Sequence, residues 1–383
     1  MDSRLTVELA LTETQQLIQA TTRKLLEERC PITRVRELID DPVGFDPGLW
    51  SQGGDLGWYA MLVPEEYGGA GADSSGLVEA AIISEELGRM VHPGPFQATN
   101  VVAAAVAEFG SDDQRQEFLP SIATGQTVAT WAYLEPDHDW SPGGLSVSVT
   151  AVDSGYVLNG TKTCVQDAAS ADLFLVTGRA LDGPTQFLVP ATALGVSIEP
   201  LECVDLARRL FEVRFTDVRV DAAAALGPVG QAEEAIERQR QIALVLQCAE
   251  TNGATEQGLA ITVQYSKDRV AFGRPIGSYQ ALKHRMAEHR MWLEASFATT
   301  SHASHSVQGR HLDAPAAVRI AKAHVGKWST AILHDCVQLH GGIGMTWEYD
   351  LHLYFRRTIG NEVLYGSPYE LTKSLVDVVE GAA

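Results

Sequence analysis

Five residues in the last third of the chain could contact a phosphate group or a heterocycle: Arg269, Phe272, Gln338, Gly341 and Gly342. An arginine presents a planar fork of donors that matches a pyrophosphate, and a glutamine offers donors and acceptors to a heterocycle edge. Adjacent glycines let the backbone approach such a ligand closely. Taken singly, Arg269 could pair with Asp268 and the glycines could simply end a helix, so the combination carries the prediction.

One acidic residue stands in apolar surroundings. Glu250 lies in "IALVLQCAETNGA", residues 242–254. A carboxylate there is unfavourable to bury without a partner, and such positions are often functional. Two roles are open for it: a catalytic base, or one half of a pair with a basic side chain across an interface. The histidines show no HExxH or other zinc spacing, so no metal site is predicted.

The composition limits the class of protein. A chain of 383 residues suggests two or three domains, and a net charge of −20 disfavours nucleic acid and anionic membranes as partners. No run approaches the roughly 20 apolar residues that span a bilayer, and "MDSRLTVELALTETQQ" lacks a signal-peptide pattern. Five cysteines without a CxxC pair suit reduced thiols. We expect a soluble cytoplasmic protein.

Three segments of different hydrophobic periodicity must position these residues. Residues 1–125 and 226–383 repeat apolar residues at helical intervals, whereas 126–225 consist of short runs rich in Val, Phe, Thr and Tyr. The strands of the middle segment follow one another too closely for crossover helices, which predicts an antiparallel β-domain. The predicted fold class is therefore α+β, with an N-terminal helical domain, a middle β-domain and a C-terminal helical domain.

Single residues predict several local features. Ser111 and Gln114 have the spacing of a capping box at a helix start, and Asn159-Gly160 is a hairpin-turn pair. Gly88 closes the helical pattern of "SSGLVEAAIISEELGRM". Gly253 lies on a narrow apolar stripe, where it permits the close approach of a neighbouring element.

Two longer motifs resemble a known family. The segments "YSKDRVAFGRPIGSYQALKHRMAEHRMWLEA" (265–295) and "VQLHGGIGMTWEYDLHLYFRR" (337–357) resemble the Arg-x-x-Phe-Gly-x-x-Ile and Gln-x-x-Gly-Gly-x-Gly signatures of flavin-dependent acyl-CoA dehydrogenases. The resemblance covers essentially the whole chain, because the helix–sheet–helix order and "ISEELGR" also fit. It implies a C-terminal four-helix bundle, FAD as cofactor, an acyl-CoA thioester as substrate and electron-transfer flavoprotein as acceptor. Family members place both signatures against a neighbouring subunit's flavin, so a homo- or hetero-tetramer is implied.

The middle segment departs from the family pattern. Family Thr-Glu-Pro is Leu134-Glu135-Pro136 here, and the following Gly-Ser-Asp turn is replaced by "DHDWSPGG". Family Trp-x-Thr, which lies against the flavin ring, corresponds to Cys164-Val165-Gln166, so an indole is lost while Gln166 could still bond the ring edge. The resemblance places Tyr133, Leu134 and Gln166 at the flavin. Trp131, Tyr133 and Trp140 either restack the pocket or belong to the core.

The family reaction needs a base that this chain lacks at the expected places. A carboxylate removes the α-proton of the thioester while the β-hydrogen leaves as hydride, and that carboxylate must be desolvated. The resemblance gives two places for it, where this chain has Gly366 and Ala243. Glu250 lies two helical turns after Ala243 on nearly the same face and is the candidate base. Glu362 is a weaker candidate that fits a structural role better.

Some actinobacterial members of the family work as two unlike chains in an α2β2 tetramer, in which one chain supplies the base. The known cases act on steroid side chains, and this chain resembles the partner without the base. The first of three hypotheses is an FAD-dependent acyl-CoA dehydrogenase, either alone with Glu250 as base or as half of a heteromer. The second is a non-catalytic subunit that completes a partner's flavin site. The third is a flavin oxygenase or oxidase on the same scaffold, which needs no α-proton base.

Overall fold

The computed structural model describes residues 10–70, 76–136 and 144–381. The helices are α1 (Glu13–Arg29), α2 (Ile32–Ile39), α3 (Pro47–Asp55), α4 (Leu77–Arg89), α5 (Phe96–Phe109), α6 (Asp112–Ala123), α7 (Glu233–Asp268), α8 (Gln280–Gln308), α9 (Ala314–His340), α10 (Leu351–Val363) and α11 (Pro368–Gly381). The strands are β1 (Ala129–Ala132), β2 (Ser148–Val152), β3 (Gly155–Gln166), β4 (Leu173–Ala180), β5 (Gly183–Pro190), β6 (Val196–Leu201), β7 (Leu210–Asp221), β8 (Val270–Ala271) and β9 (Arg274–Pro275).

The chain divides into two compact units. The helical unit comprises residues 1–35, 77–92 and 244–383, and the sheet unit comprises 36–76 and 93–243. Each unit therefore draws on more than one stretch of sequence, and the domain boundaries near residues 125 and 225 stay a prediction. Over the part of the chain that the structure describes, no helix is long and apolar enough to cross a membrane.

The sheet unit is built on seven strands in the order β1-β4-β2-β3-β7-β6, with β5 also paired to β4. Inward-facing apolar side chains form its core, among them Leu158, Phe174, Phe187 and Phe215. The predicted β-domain is present and antiparallel in the pairs β2–β3, β3–β7, β4–β5 and β6–β7, but β1 pairs with β4 in parallel along four residues, which the prediction did not include. Close spacing excludes parallel pairing only between consecutive strands, and here β2 and β3 themselves fill the connection from β1 to β4.

The hairpin turn expected at Asn159-Gly160 is also wrong. Both residues lie inside the twelve-residue strand β3, whose register against β7 shifts between Leu158 and Gly160. Gly160 has φ +140°, and a Cβ there would come within 2.9 Å of Val147. The side chain of Asn159 exchanges hydrogen bonds with Asp217 of β7. An Asn-Gly pair thus serves an irregularity within a long strand instead of a turn.

Two glycines bring α4 and α7 of the helical unit into close contact. A Cβ on Gly253 would lie 1.9 Å from the carbonyl oxygen of Glu85, and one on Gly88 would lie 2.0 Å from that of Glu250. The close approach expected at Gly253 is confirmed. Gly88 does not end its helix, since α4 continues to Arg89, and its small size instead serves this crossing.

Two predicted helix ends are confirmed. Ser111 precedes α6 and forms the full reciprocal capping box with Gln114, which satisfies two backbone donors at the helix start. At the other end of the chain, α9 stops at His340 and its C-cap is Gly341, with φ +67°. That backbone conformation strains a residue with a side chain, so the glycine fixes the helix end.

Candidate functional site

The first signature folds as a small hairpin after α7. Strands β8 and β9 pair through Val270 with Pro275 and Ala271 with Arg274, so Phe272 and Gly273 form the tip, with φ +50° and +80°. Phe272 is 97% exposed, which is unusual for a phenylalanine in a folded chain. The hairpin therefore presents an aromatic ring that this chain does not cover.

Arg269 at the base of the hairpin is exposed. Its alternative role, a pair with Asp268, is not formed: both carboxylate oxygens of Asp268 accept from Nε2 of Gln264. The backbone carbonyl of Arg269 accepts from the amide of Ile276 at 2.8 Å, which holds the root of the hairpin. The guanidinium is thus presented on a fixed backbone with its fork of donors open to a ligand.

The second signature leaves an open stretch of backbone. Gln338 is exposed in the last turn of α9, and a Cβ added to Gly341 or Gly342 would meet nothing within 4 Å. Ile343, two residues into the following 3-10 turn, is 44% exposed. This surface has the backbone access that the sequence predicted for a cofactor.

An aromatic cluster that the sequence analysis missed joins the two signatures within the helical unit. Tyr265, four residues before Arg269, stacks on His340 at 4.3 Å between ring centroids. Nδ1 of His340 donates to the carbonyl of Cys336 at 2.8 Å, so its Nε2 accepts from the Tyr349 hydroxyl at 3.0 Å. Burial lowers the pKa of His340, which favours the neutral imidazole. The spacing of these residues shows no recognisable motif.

Three further cofactor candidates, Tyr133, Leu134 and Gln166, lie buried in the sheet unit. Tyr133 stacks against Trp131 at 4.7 Å with the rings nearly parallel. Nε2 of Gln166 donates to the carbonyl of Gly94 at 3.1 Å, so that group is already engaged within the chain. Trp140 and most of "DHDWSPGG" lie outside the described residues.

A buried ion pair fixes the backbone beside two of these candidates. Nζ of Lys162 donates to Glu135 at 2.5 Å and to the carbonyl of Tyr133 at 2.9 Å. The amide of Thr163 donates to the carbonyl of Leu134. Burial lowers the pKa of Lys162 to about 8. Burial alone would raise the pKa of Glu135, but the charge and hydrogen bond of Lys162 outweigh it and the net shift is downward.

The position of Cys164, where the family has its tryptophan, has an unusual backbone. Its φ is +51°, and the pairing of β3 with β7 shifts register between Lys162 and Val165. Left-handed backbone is uncommon for a residue with a side chain. Cys164 thus sits at an irregularity of the strand, and burial raises the pKa of its thiol.

Glu250 is engaged by two side chains of α10. Its Oε1 accepts from Arg357 and its Oε2 from Asn361, each at 2.8 Å. Glu250 is 6% exposed and Arg357 is 1% exposed. The same guanidinium also donates to the carbonyl of His92. Of the two roles that the sequence left open, the geometry favours the ion pair, although its partner lies in the same helical unit.

The two places that the resemblance gave for a base hold no carboxylate. Gly366 has φ +115° and follows Tyr365, itself at φ +67°. A glutamate at 366 would be strained in that conformation. Ala243 is 3% exposed on α7. Glu362, the weaker candidate, is half-buried on α10, and its role as a base stays a prediction.

Three family models match consecutive parts of the chain: the N-terminal domain of acyl-CoA dehydrogenases at residues 12–126, the middle domain at 130–218 and the C-terminal domain at 223–369. Acyl-CoA dehydrogenase IpdE2 of Mycolicibacterium smegmatis is 32% identical over 367 residues, which is 95% of this chain and 98% of that protein.

Solved structures share the whole architecture. A variant of the Tcur3481-Tcur3483 steroid ACAD superposes with a TM-score of 0.88 at 30% identity, covering 97% of this chain and 99% of that one. The ChsE4-ChsE5 complex from Mycobacterium tuberculosis gives 0.88 at 26% identity and the same coverage. A glutaryl-CoA dehydrogenase from Mycobacterium smegmatis in complex with FADH2 shares the fold, with a TM-score of 0.89 at 23% identity over 98% of this chain and 97% of that one.

Proposed function

Because the chain belongs to the acyl-CoA dehydrogenase family, we propose that it is one subunit of a heteromeric, FAD-dependent acyl-CoA dehydrogenase. A second acyl-CoA dehydrogenase-like chain supplies the base that removes the α-proton. This chain supplies its two signatures to the flavin that the partner holds. Ala243 and Gly366 occupy the two usual places of the base, which leaves Glu250 as the main candidate. The observation that carries the proposal is that both carboxylate oxygens of Glu250 already accept hydrogen bonds from side chains of this chain.

A carboxylate that acts as the base must meet two requirements. To accept the α-proton, a carboxylate oxygen must reach the substrate and gain a proton in a desolvated site. Both oxygens of Glu250 instead accept hydrogen bonds from Arg357 and Asn361. Proton uptake there would leave the buried guanidinium without its counter-charge, which is strongly unfavourable. Glu250 therefore acts as a structural anion in this proposal.

The exposed residues of the two signatures have the chemistry that a flavin dinucleotide needs. Arg269 offers a fork of donors to the pyrophosphate, Gln338 offers its amide to a polar edge, and the backbone at Gly341 and Gly342 is open. FAD supplies the hydride acceptor when it is bound. The residues of this chain bind and orient it. The exposed Phe272 covers part of its ring system.

The sheet unit supports the same division of roles. Cys164 gives no indole wall, and the amide nitrogen of Gln166 donates to Gly94 instead of facing a ring edge. Neither observation favours a flavin held by this chain's own sheet unit. The roles of Tyr133, Leu134 and Gln166 at a flavin stay predictions.

The substrate class that we propose is an acyl-CoA thioester with a bulky, ring-bearing acyl group. The support is the similarity to a structure described as a steroid ACAD. Electron-transfer flavoprotein is the proposed acceptor, as the family resemblance implies. An assembly of two unlike chains is supported by the similarity to the ChsE4-ChsE5 complex.

The test compares the chain alone with the chain co-expressed with a second acyl-CoA dehydrogenase-like protein that carries the glutamate base. Native mass, flavin per chain and anaerobic bleaching by a panel of acyl-CoAs are measured on both. We expect the chain alone to leave butyryl-CoA and octanoyl-CoA unoxidised. The co-expressed pair should hold one flavin for each pair of unlike chains and bleach with a bulky acyl-CoA. Rapid turnover of butyryl-CoA by the chain alone contradicts the proposal.

A further inference from the structure

The helical unit contains a cavity of about 250 Å³ lined by α1, α4, α7 and α8. One wall is apolar and includes Val78, Ala81 and Ile82 of α4, with Ala249 of α7 and Phe297 of α8. None of the signature residues lines it. The cavity is thus not accounted for by the flavin signatures.

A carboxyl group ends the apolar row on α4. Glu85 follows Ala81 and Ile82 at intervals of four and three, so these side chains lie on one face of the helix, and Glu85 lines the same cavity. Among the described residues its carboxyl has no hydrogen bond and no ion pair. The two arginines that act on its charge form hydrogen bonds with other carboxylates: Arg23 donates twice to Glu86, and Arg89 donates to Glu256.

The surroundings keep this carboxyl neutral near pH 7. Burial raises the pKa of Glu85 to about 8, the charges of Glu86 and Glu256 add to the rise, and Arg89 and Arg23 oppose it. A neutral carboxyl both donates and accepts a hydrogen bond. An anionic ligand would meet two carboxylates nearby, and a cationic ligand would first require Glu85 to ionise against its burial. The electrostatics therefore favour a neutral ligand.

A second polar group lines the cavity from α7. Asn252 is fully buried; its Nδ2 donates to the hydroxyl of Thr300 at 3.0 Å, and its Oδ1 has no partner among the described residues. A buried amide oxygen without a donor is unfavourable. A ligand hydroxyl matches both groups, since it can donate to Asn252 and accept from Glu85.

The volume sets the size of the ligand. An apolar cavity of roughly 150 Å³ holds a benzene molecule, so a cavity of this size takes a molecule of about ten non-hydrogen atoms. We propose that this cavity binds a neutral cyclic alcohol, with its rings along Val78 and Ile82 and its hydroxyl between Glu85 and Asn252. Such a ligand contacts several elements of the helical unit at once, and its binding stabilises the folded unit increasingly as the free ligand concentration rises above Kd.

The test is calorimetric titration of the full chain, in the assembly in which it purifies, with decahydro-2-naphthol. Decahydro-2-naphthylamine, which has the same rings and a cationic group, is the matched ligand. The alcohol should bind about tenfold more tightly than the amine at pH 7. Because the ligand prefers neutral Glu85, its affinity should fall about tenfold between pH 7 and pH 9. His305 also lines the cavity, and the Glu85→Gln variant separates the contribution of Glu85 from that of every other group.

Three variants complete the test. Glu85→Gln keeps a donor and an acceptor, so it should bind the alcohol at pH 7 but lose the change in affinity up to pH 9. Ala81→Phe fills the cavity and should abolish binding. Glu66→Gln, at an exposed position in the sheet unit, should match the unmodified chain throughout. No binding of the alcohol, tighter binding of the amine, or an unchanged pH dependence in Glu85→Gln would each overturn the proposal.

Discussion

The two regions that the family uses around its flavin differ in this chain. The signatures of the helical unit are open: Phe272 is almost fully exposed, and among the described residues a Cβ at Gly341 or Gly342 would meet no atom within 4 Å. In the sheet unit, the corresponding candidates are buried, and the amide nitrogen of Gln166 is already engaged. An open surface suits a ligand brought by another chain, whereas a closed one serves the fold. The difference supports a subunit that contributes residues to a flavin site on a partner chain and does not hold a flavin of its own.

Breaking the buried pair of the sheet unit gives the largest expected effect. Glu135→Gln leaves Lys162 buried without its counter-charge, which should lower the free energy of unfolding by about 3–5 kcal/mol. Since the pKa of Glu135 is lowered in the folded state, its contribution is complete above the ordinary carboxyl range and is lost as the pH falls. Urea unfolding from pH 7 to pH 3 measures both. Equal acid sensitivity in the variant and the unmodified chain would refute this.

Glu250→Gln separates a base from a structural anion. The amide still accepts hydrogen bonds but leaves Arg357 unpaired, so we expect a loss of about 3 kcal/mol in unfolding free energy. Bleaching by the assembled enzyme should persist in the protein that remains folded. Asn361→Ala, which removes the other donor, is the control and should cost less. A stable variant that no longer bleaches would instead identify Glu250 as the base.

Arg269→Gln tests the open region directly. The guanidinium is exposed and unpaired with Asp268, so thermal unfolding of the chain alone should not change. In the co-expressed assembly, loss of a charge-assisted contact should weaken FAD binding about tenfold. Lys267→Gln, an exposed charge two residues earlier, is the matched control and should keep its flavin. If both variants retain flavin equally, the signature does not contact it.

Gly366→Glu gives the smallest expected change in activity. It restores a carboxylate to the usual place, but φ +115° should cost about 1–3 kcal/mol of stability and leave the side chain misplaced. The chain alone should therefore still fail to bleach with butyryl-CoA. Gly366→Ala separates the strain from the charge, because it should lose similar stability. Recovered bleaching in Gly366→Glu would show that this chain lacks only the glutamate side chain, and that the backbone at position 366 can place a base correctly.

Local patterns predicted local features well. The Ser111–Gln114 capping box and the end of α9 at Gly341 depend on residues a few positions apart, and sequence contains that information. The signature residues Arg269 and Gln338 could be proposed from the sequence because each belongs to a contiguous motif, and their role at a flavin stays a prediction. Asn159-Gly160 misled because the same pair suits a turn and a strand irregularity.

Contacts between distant residues were not predictable. Glu250 meets Arg357 across 107 positions, and no periodicity says which basic residue a buried carboxylate finds. Lys162 pairs with Glu135 at a separation of 27, although a lysine at an inward position of a strand was a usable signal. The parallel pairing of β1 with β4 depends on the path of the chain between them, which strand propensity does not encode.

The crossing of α4 and α7 has a mechanical consequence. Gly88 of α4 lies against the backbone of Glu250 on α7, and Gly253 of α7 lies against the backbone of Glu85 on α4. Each of the two glutamates therefore contacts a glycine of the other helix through its backbone. These two contacts fix the position of α4 along α7, because a displacement of either helix along the other would disturb both of them. The wall of the cavity at Glu85 and the carboxylate of Glu250 held by Arg357 therefore belong to one crossing, joined by backbone contacts.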